Sequence, residues 1–412
     1  MIEYQSFTLD NGLQVLVHED PSTSLAAVNI LYNVGSRDES EHKTGFAHLF
    51  EHLMFGGSKH IDSYDQPLQH VGGENNAFTT PDITNYYLTL PAPNLETAFW
   101  LESDRMLSLS FDPQVLEVQR KVVIEEFKQR YLNQPYGDVW LKLRPIAYQL
   151  HPYRWATIGK DISHIENATM QDVRDFFKKF YHPANAILVV AGNVKYQQVC
   201  QLAGKWFGGI KAGPAYRRDL PQEPIQSESR IIKVSADVPL DAFYQVYHIP
   251  PRFTESYHQA DLISDILGRG KSSKLYQTLV KERQMFSAIS SYITGSLDPG
   301  LMVIQGQLLE GFSCDQGHRA VREIIDEMLT TEVTEEELQK VKNQAESSLV
   351  FGKVPLLNRA MNLALGALVG DADYINKEDT IIQDIKAEDI MALAPQILRE
   401  NNSTTMYYQK QS

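Results

Sequence analysis

His48-Leu49-Phe50-Glu51-His52 sets two imidazoles and a carboxylate within five positions. At roughly 100° per residue, a helix brings His48 and His52 about 40° apart on one face, one turn above the other. Both rings can then offer a nitrogen to a single metal ion. Glu51 falls roughly 300° on from His48, close enough to take a proton from water at that ion. Read from N to C the order is H-x-x-E-H, the inverse of the commoner H-E-x-x-H, which occurs nowhere in the chain. The competing reading is an amphipathic helix whose two histidines happen to share a face.

A catalytic zinc needs a third protein ligand and an open position. The segment Pro113–Tyr131, with Pro at the first helical position, reads as a helix carrying Glu117, Glu125 and Glu126. With Val115 at zero, Leu116, Val118, Val122, Val123 and Phe127 make an apolar stripe centred near 30° by the 100° rule. On that wheel Glu126 falls at about 20°, Glu125 near 280° and Glu117 near 200°. A carboxylate on a core face is costly unless paired or bound to metal. Glu126 is therefore the expected third ligand, with Glu125 as the alternative. A half-buried Glu satisfied by a nearby Arg or Lys is the competing account.

The chain has 412 residues, 43% hydrophobic and 22% charged, as expected of a globular protein built as two domains or two large halves. The longest apolar run, near Ala186–Ala191, falls far short of the roughly 20 residues that cross a bilayer and reads as a buried strand. Met1-Ile2-Glu3-Tyr4 enters a strand pattern directly and lacks a basic, apolar leader, so a cytoplasmic location is expected. Cys200 and Cys314 make neither a disulfide framework nor a metal knuckle, which leaves His and carboxylate to hold any zinc. A formal charge of −14 argues against nucleic acid or an anionic membrane as partner.

Asn11-Gly12 between alternating apolar residues predicts a hairpin. Strands are predicted over Ala26–Asn33, Tyr86–Leu90 and Ala186–Val190, with helices over Leu95–Met106, Met170–Tyr181 and Tyr196–Phe207. Gly72-Gly73-Glu74-Asn75-Asn76-Ala77-Phe78-Thr79-Thr80 leads from small residues into a short strand, suited to an exposed edge that a peptide could extend. A plain glycine turn before a structural strand is the alternative there. Lys211–Glu228, with three prolines, reads as an exposed linker.

Beyond the linker the pattern restarts. Strands are predicted at Arg230–Val238, Ala242–His248, Ala288–Thr294, Leu301–Leu308 and Thr404–Tyr408. Helices are predicted near Ser256–Leu267, Ser273–Arg283, Gln316–Leu329, Glu335–Val350, Leu356–Leu368 and Ala387–Leu398. Ala47–Leu53 can be laid on Ala260–Ile266 with apolar positions matching and metal-binding side chains missing, the mark of a duplication in which only the first copy keeps metal. The mixed order predicts α+β, with a first half at 1–212, a linker at 213–228 and a second half at 229–412.

These segments in order resemble the inverted-zincin metallopeptidases of the pitrilysin, insulin-degrading enzyme and mitochondrial processing peptidase family, in its smaller two-half form. The resemblance rests on Leu9–Leu13, Gly45–Phe55, Asn76-Ala77-Phe78-Thr79 with Thr84–Tyr87, Val122–Glu126, Tyr181-His182-Pro183 before Val189–Gly192, and Ser272–Tyr276. It implies two homologous α/β-sandwich-like halves closing as a clamshell around peptides or unfolded segments. It implies one zinc per chain held by His48, His52 and Glu126, with Glu51 as general base. Asn76, Ala77 and Phe78 would lie on the substrate-receiving edge strand. Where the family often has a second supporting Glu, this chain has Gln119. Where members acting alone carry an Arg and a Tyr that bind substrate and steady the oxyanion, alignment places Val280 and Ser287. A homo- or heterodimeric partner bringing those donors is the expectation, and a noncatalytic or partner-dependent processing or scaffold subunit is the alternative function.

Overall fold

Gly12, at φ +88°, closes the predicted turn: its N–H donates to Leu9 O at 2.8 Å. A non-glycine residue rarely adopts that backbone. The turn pairs β1 (Gln5–Thr8) with β2 (Gln14–Glu19). The computed structural model describes residues 1–411. It divides into two units, one of Met1–Gln129, Trp155–Pro221 and Val350–Glu378, the other of Arg130–Arg154, Gln222–Leu349 and the described residues from Asp379 onward.

In the first unit β1 and β2 join β3 (Leu25–Tyr32), β4 (Glu74–Thr79), β5 (Thr84–Pro91) and β6 (Ala186–Gly192) in a sheet ordered β1-β2-β6-β3-β5-β4. Only β2 and β6 run parallel. Every residue of β6 is buried, as its unbroken apolar run demands of an inner strand. Leu16, Leu31, Val189 and Ala191 face Ala360, Leu363 and Ala364 of the helix Leu356–Leu368. The opposite face carries Tyr32 and Tyr86, and there lies α1 (Phe46–Leu53), its Phe50 ring 4.3 Å from that of Tyr181. The edge strand β4 passes beside α1. α2 (Pro113–Phe127) packs on α1 as well.

The second unit has β7 (Arg230–Ala236), β8 (Ala242–Ile249), β9 (Phe286–Ile293), β10 (Gly300–Leu308) and β11 (Ser403–Lys410), ordered β7-β11-β8-β10-β9 with only β7 and β11 parallel. Without β1, the first sheet has the same order and the same strand directions. α3 (Glu255–Gly268) joins the second and third strands of its sheet as α1 does in the first, so the predicted match of Ala47–Leu53 to Ala260–Ile266 falls on corresponding helices. Val139, Leu143 and Ala147 cover one face of this sheet, packing against Val246, Val303 and Met406.

The units therefore do not follow the sequential halves 1–212 and 229–412. The helix Val139–Ala147 belongs to the second sheet, and Leu356–Leu368 to the first. The segment Lys211–Glu228 has neither helix nor strand, but it is not a loose tether. Tyr216 and Arg218 bind the Asp38 carboxylate at 2.7 Å each, while Glu223 accepts the N–H groups of Gln149, Leu150 and His151. Two predicted helices are also corrected. α2 ends at Phe127 and widens into a π turn at Lys128–Leu132, and Ser273–Arg283 contains a π-helical stretch at Tyr276–Glu282 instead of an α-helix.

Candidate metal centre

α1 is only eight residues long, below the roughly 12 at which an isolated helix becomes even marginal, so its surroundings must hold it. Phe46, Ala47, Leu49, Phe50 and Leu53 are buried and fix one face. The helix starts from Gly45 at φ +82°, where a Cβ would come within 2.3 Å of Ile158 O. Gly45 has no side chain with which to cap. Glu39 does so instead, accepting the Gly45 N–H at 3.0 Å and the Ala47 N–H at 2.7 Å. A carboxylate at a helix N-terminus satisfies orphan donors and meets the positive end of the helix dipole.

The half-exposed face presents His48, Glu51 and His52. The two imidazoles stand 4.8 Å apart at 80°. Glu126, near the end of α2, places Oε2 at 3.6 Å from His48 Nε2 and 3.5 Å from His52 Nε2. Zinc bonds of 2.0–2.2 Å in a tetrahedron imply ligand atoms about 3.4 Å apart, so these residues fit the ion closely. Two nitrogens and one carboxylate oxygen also leave the fourth position open. Among the described residues this is the one group of three or more His, Cys, Asp or Glu side chains arranged to share a metal. The alternative, Glu125, points outward to Lys128 at 2.7 Å.

Glu126 does not lie at the centre of the buried face of α2. Leu116, Val123 and Phe127 form the buried line of α2, whereas Val118 and Val122 are 55% and 44% exposed. The core face is turned about 70° from the expected stripe by the 100° rule, and Glu126 borders it instead of sitting at its centre. Gln119 lies half-buried on α2, two turns before Glu126.

Asn76, Ala77 and Phe78 lie on β4, which pairs only with β5 among the described strands. Asn76 is exposed and its Oδ1 accepts the Ala77 N–H at 2.8 Å. Phe78 turns its ring to the other face of the sheet, into the cluster beneath Leu356–Leu368, so only its backbone is available on the edge. Thr79, next in line, faces α1 and donates from Oγ1 to Glu51 Oε2 at 2.5 Å. The Thr79 contact has no signal in the sequence, since it depends on the register between strand and helix. Glu39 went unnoticed because it sits six residues before the helix it caps. Beneath α1 the Tyr86 and Tyr181 hydroxyls are 3.1 Å apart, and burial pushes both up, with the Glu51 charge adding to the effect.

In the second unit the α3 positions laid on His48, Glu51 and His52 carry Asp261, Ser264 and Asp265. Ser264 Oγ meets Ser291 Oγ of edge strand β9 at 3.0 Å, and Asp265 is paired with Arg269. Val280 packs against the core there, and Ser287 donates to Gln307 O at 3.1 Å. No described helix is long and apolar enough to cross a membrane.

Two models of one family match the chain in succession: insulinase (peptidase family M16) over residues 14–160 and peptidase M16 inactive domain over residues 167–345. The chain is 29% identical over 411 residues to the zinc protease PqqE of Helicobacter pylori, spanning 98% of this chain and 92% of that protein. It is 25% identical over 352 residues to the uncharacterized zinc protease YmxG of Bacillus subtilis, with 84% and 83% covered. A crystal structure of a protease from Helicobacter pylori superposes with a TM-score of 0.92 at 29% identity, covering 99% of this chain and 100% of that one. A peptidase M16 inactive domain from Pseudomonas fluorescens shares the fold, with a TM-score of 0.90 at 18% identity over 100% and 98% of the two chains. With both family models matched in order and relatives aligned from end to end, the chain belongs to peptidase family M16.

Proposed function

We propose that this chain is a zinc-dependent endopeptidase acting on peptides or unfolded polypeptide segments. The observation that carries the reading is the convergence of His48, His52 and Glu126 at tetrahedral spacing with Glu51 on the same helix face. Zinc, when bound, supplies Lewis acidity, making water acidic enough to react near neutral pH and polarising a peptide carbonyl. His48 and His52 contribute neutral nitrogens and Glu126 one anionic oxygen. Glu51 accepts the proton of the attacking water and returns it to the leaving amine. The open edge of β4 receives the peptide main chain by strand addition, which selects for extended backbone over particular side chains.

The expected Arg and Tyr donors are replaced by Val280, packed on a core, and Ser287, engaged with a neighbouring strand. Arg283 is likewise held by Glu323 at 2.7 Å. This favours a second reading within the first: full activity needs a partner subunit, a second copy or a related chain, that brings the oxyanion donors. The test measures zinc content and hydrolysis of a mixed peptide library for wild type and Glu51→Gln, each with and without the co-purifying partner. Zinc retained with hydrolysis abolished in the variant supports the mechanism. Equal hydrolysis by both refutes it, and full activity of the isolated chain removes the need for a partner.

A further inference from the structure

Thr79 ends β4 and reaches α1, where its hydroxyl donates to Glu51 Oε2 at 2.5 Å. Two residues earlier on the strand, the Ala77 N–H bonds the Asn76 side chain. In an antiparallel pair, N–H groups alternate between the partner strand and the open side. Ala77 therefore directs its N–H to the open edge, and Thr79, two residues on, does the same. One residue thus carries a main-chain donor on the edge that a peptide would extend and a side-chain donor on the carboxylate beside the metal ligands.

We infer that Thr79 is a positioning residue. Its hydroxyl fixes the Glu51 carboxylate relative to β4, so that the register of a docked peptide and the orientation of the base are set together. The inference rests on the zinc-peptidase reading given above. A glutamate side chain has three rotatable bonds, and helix position alone leaves its carboxylate free to swing. A hydrogen bond from the neighbouring strand removes that freedom. Misplacing a reacting group by about 1 Å costs on the order of 100-fold in rate, so a single tie of this kind has a measurable effect.

The second unit carries a related tie between the corresponding helix and its edge strand. There Ser264, laid on the Glu51 position, bonds Ser291 of the edge strand at 3.0 Å. Both units thus tie this helix position to the edge strand through side chains, although by register Ser291 matches Ala77, two residues before Thr79. Only in the first is one member a carboxylate.

The test compares Thr79→Val, which keeps the shape and removes the donor, with Thr79→Ser, which keeps the donor. Zinc affinity, kcat and KM are measured for each, with crystal structures of the zinc-loaded proteins. The expectation for Thr79→Val is zinc affinity and KM within about twofold of wild type, kcat lower by about 10- to 100-fold, and a displaced Glu51 carboxylate. Thr79→Ser should restore most of kcat. The inference is overturned by an unmoved Glu51 in Thr79→Val, by a kcat loss that tracks lost zinc, or by Thr79→Ser failing as badly as Thr79→Val. If the zinc-loaded wild type cleaves no peptide with or without its partner, the peptidase reading fails. The position of Glu51 in the crystals then still decides the role of Thr79.

Discussion

Replacing Glu39 with alanine should loosen the helix that carries three of the four proposed active-site residues. Its two carboxylate oxygens accept one N–H each, at 3.0 and 2.7 Å, from the first turn of α1. Hydrogen bonds from backbone to a charged group contribute about 1.5–3 kcal/mol each, whereas ordinary helix caps contribute about 1. Burial pushes the Glu39 carboxyl well above the usual carboxylate range, so the cost of burying its charge offsets part of what the two bonds contribute. We expect Glu39→Ala to lose about 2–4 kcal/mol in urea denaturation of the metal-free protein. Glu39→Gln, with one acceptor oxygen, should lose roughly half of that. A frayed α1 no longer holds His48 and His52 in register, so zinc affinity in a chelator competition should fall about tenfold or more, equivalent to about 1.4 kcal/mol of helix stability. A stability loss below about 1 kcal/mol with unchanged zinc affinity would refute the capping role.

Two further outcomes test other parts of the molecule. Burial, helped by Arg252, lowers the His258 pKa to about 4. The unfolded chain then binds more protons than the native one between about pH 6.5 and 4, so His258 makes stability fall as the pH drops through that window, by at most about 3 kcal/mol. His258→Gln should flatten the stability profile of the metal-free protein there, and an unchanged acid limb would contradict it. Leu363 is fully buried in the cluster with Leu16, Leu31 and Val189. Leu363→Ala should cost about 2–5 kcal/mol in urea denaturation, and a loss under about 1 would argue that its helix is not part of that core.

Much of the fold was legible where periodicity was strong. Leu356–Leu368 and Tyr196–Phe207 were predicted to the residue, and Asn11-Gly12 marked its hairpin. Val139–Ala147 was missed because Pro145 lies inside it, where proline removes the bond to the carbonyl four residues back and ordinarily marks a helix stop. Its place in the second core is a long-range packing outcome that no local pattern encodes. The nearness of His48 and His52 was readable since they share a helix, and their relation is fixed by helical geometry. Glu126 came from a wheel whose core direction was off, because Val118 and Val122 look like core residues but are left at the surface. The ties to Glu39 and Thr79 join separate elements and become visible only once those elements are packed.

The exchange of helices between the two sheets bears on how the chain can be made. On the ribosome, the last strand of the first sheet emerges with Gly192, but the helix that closes its apolar face ends at Leu368. At about 5–20 residues per second, that face waits roughly 10 to 30 seconds for its cover. During that interval Leu16, Leu31, Val189 and Ala191 are open to chaperones or to unwanted association. A gene cut at the proline-rich segment would yield two fragments, each holding a helix that the other requires. Such fragments could persist only as a reciprocal pair, so fission of this protein leads naturally to an obligate two-chain assembly.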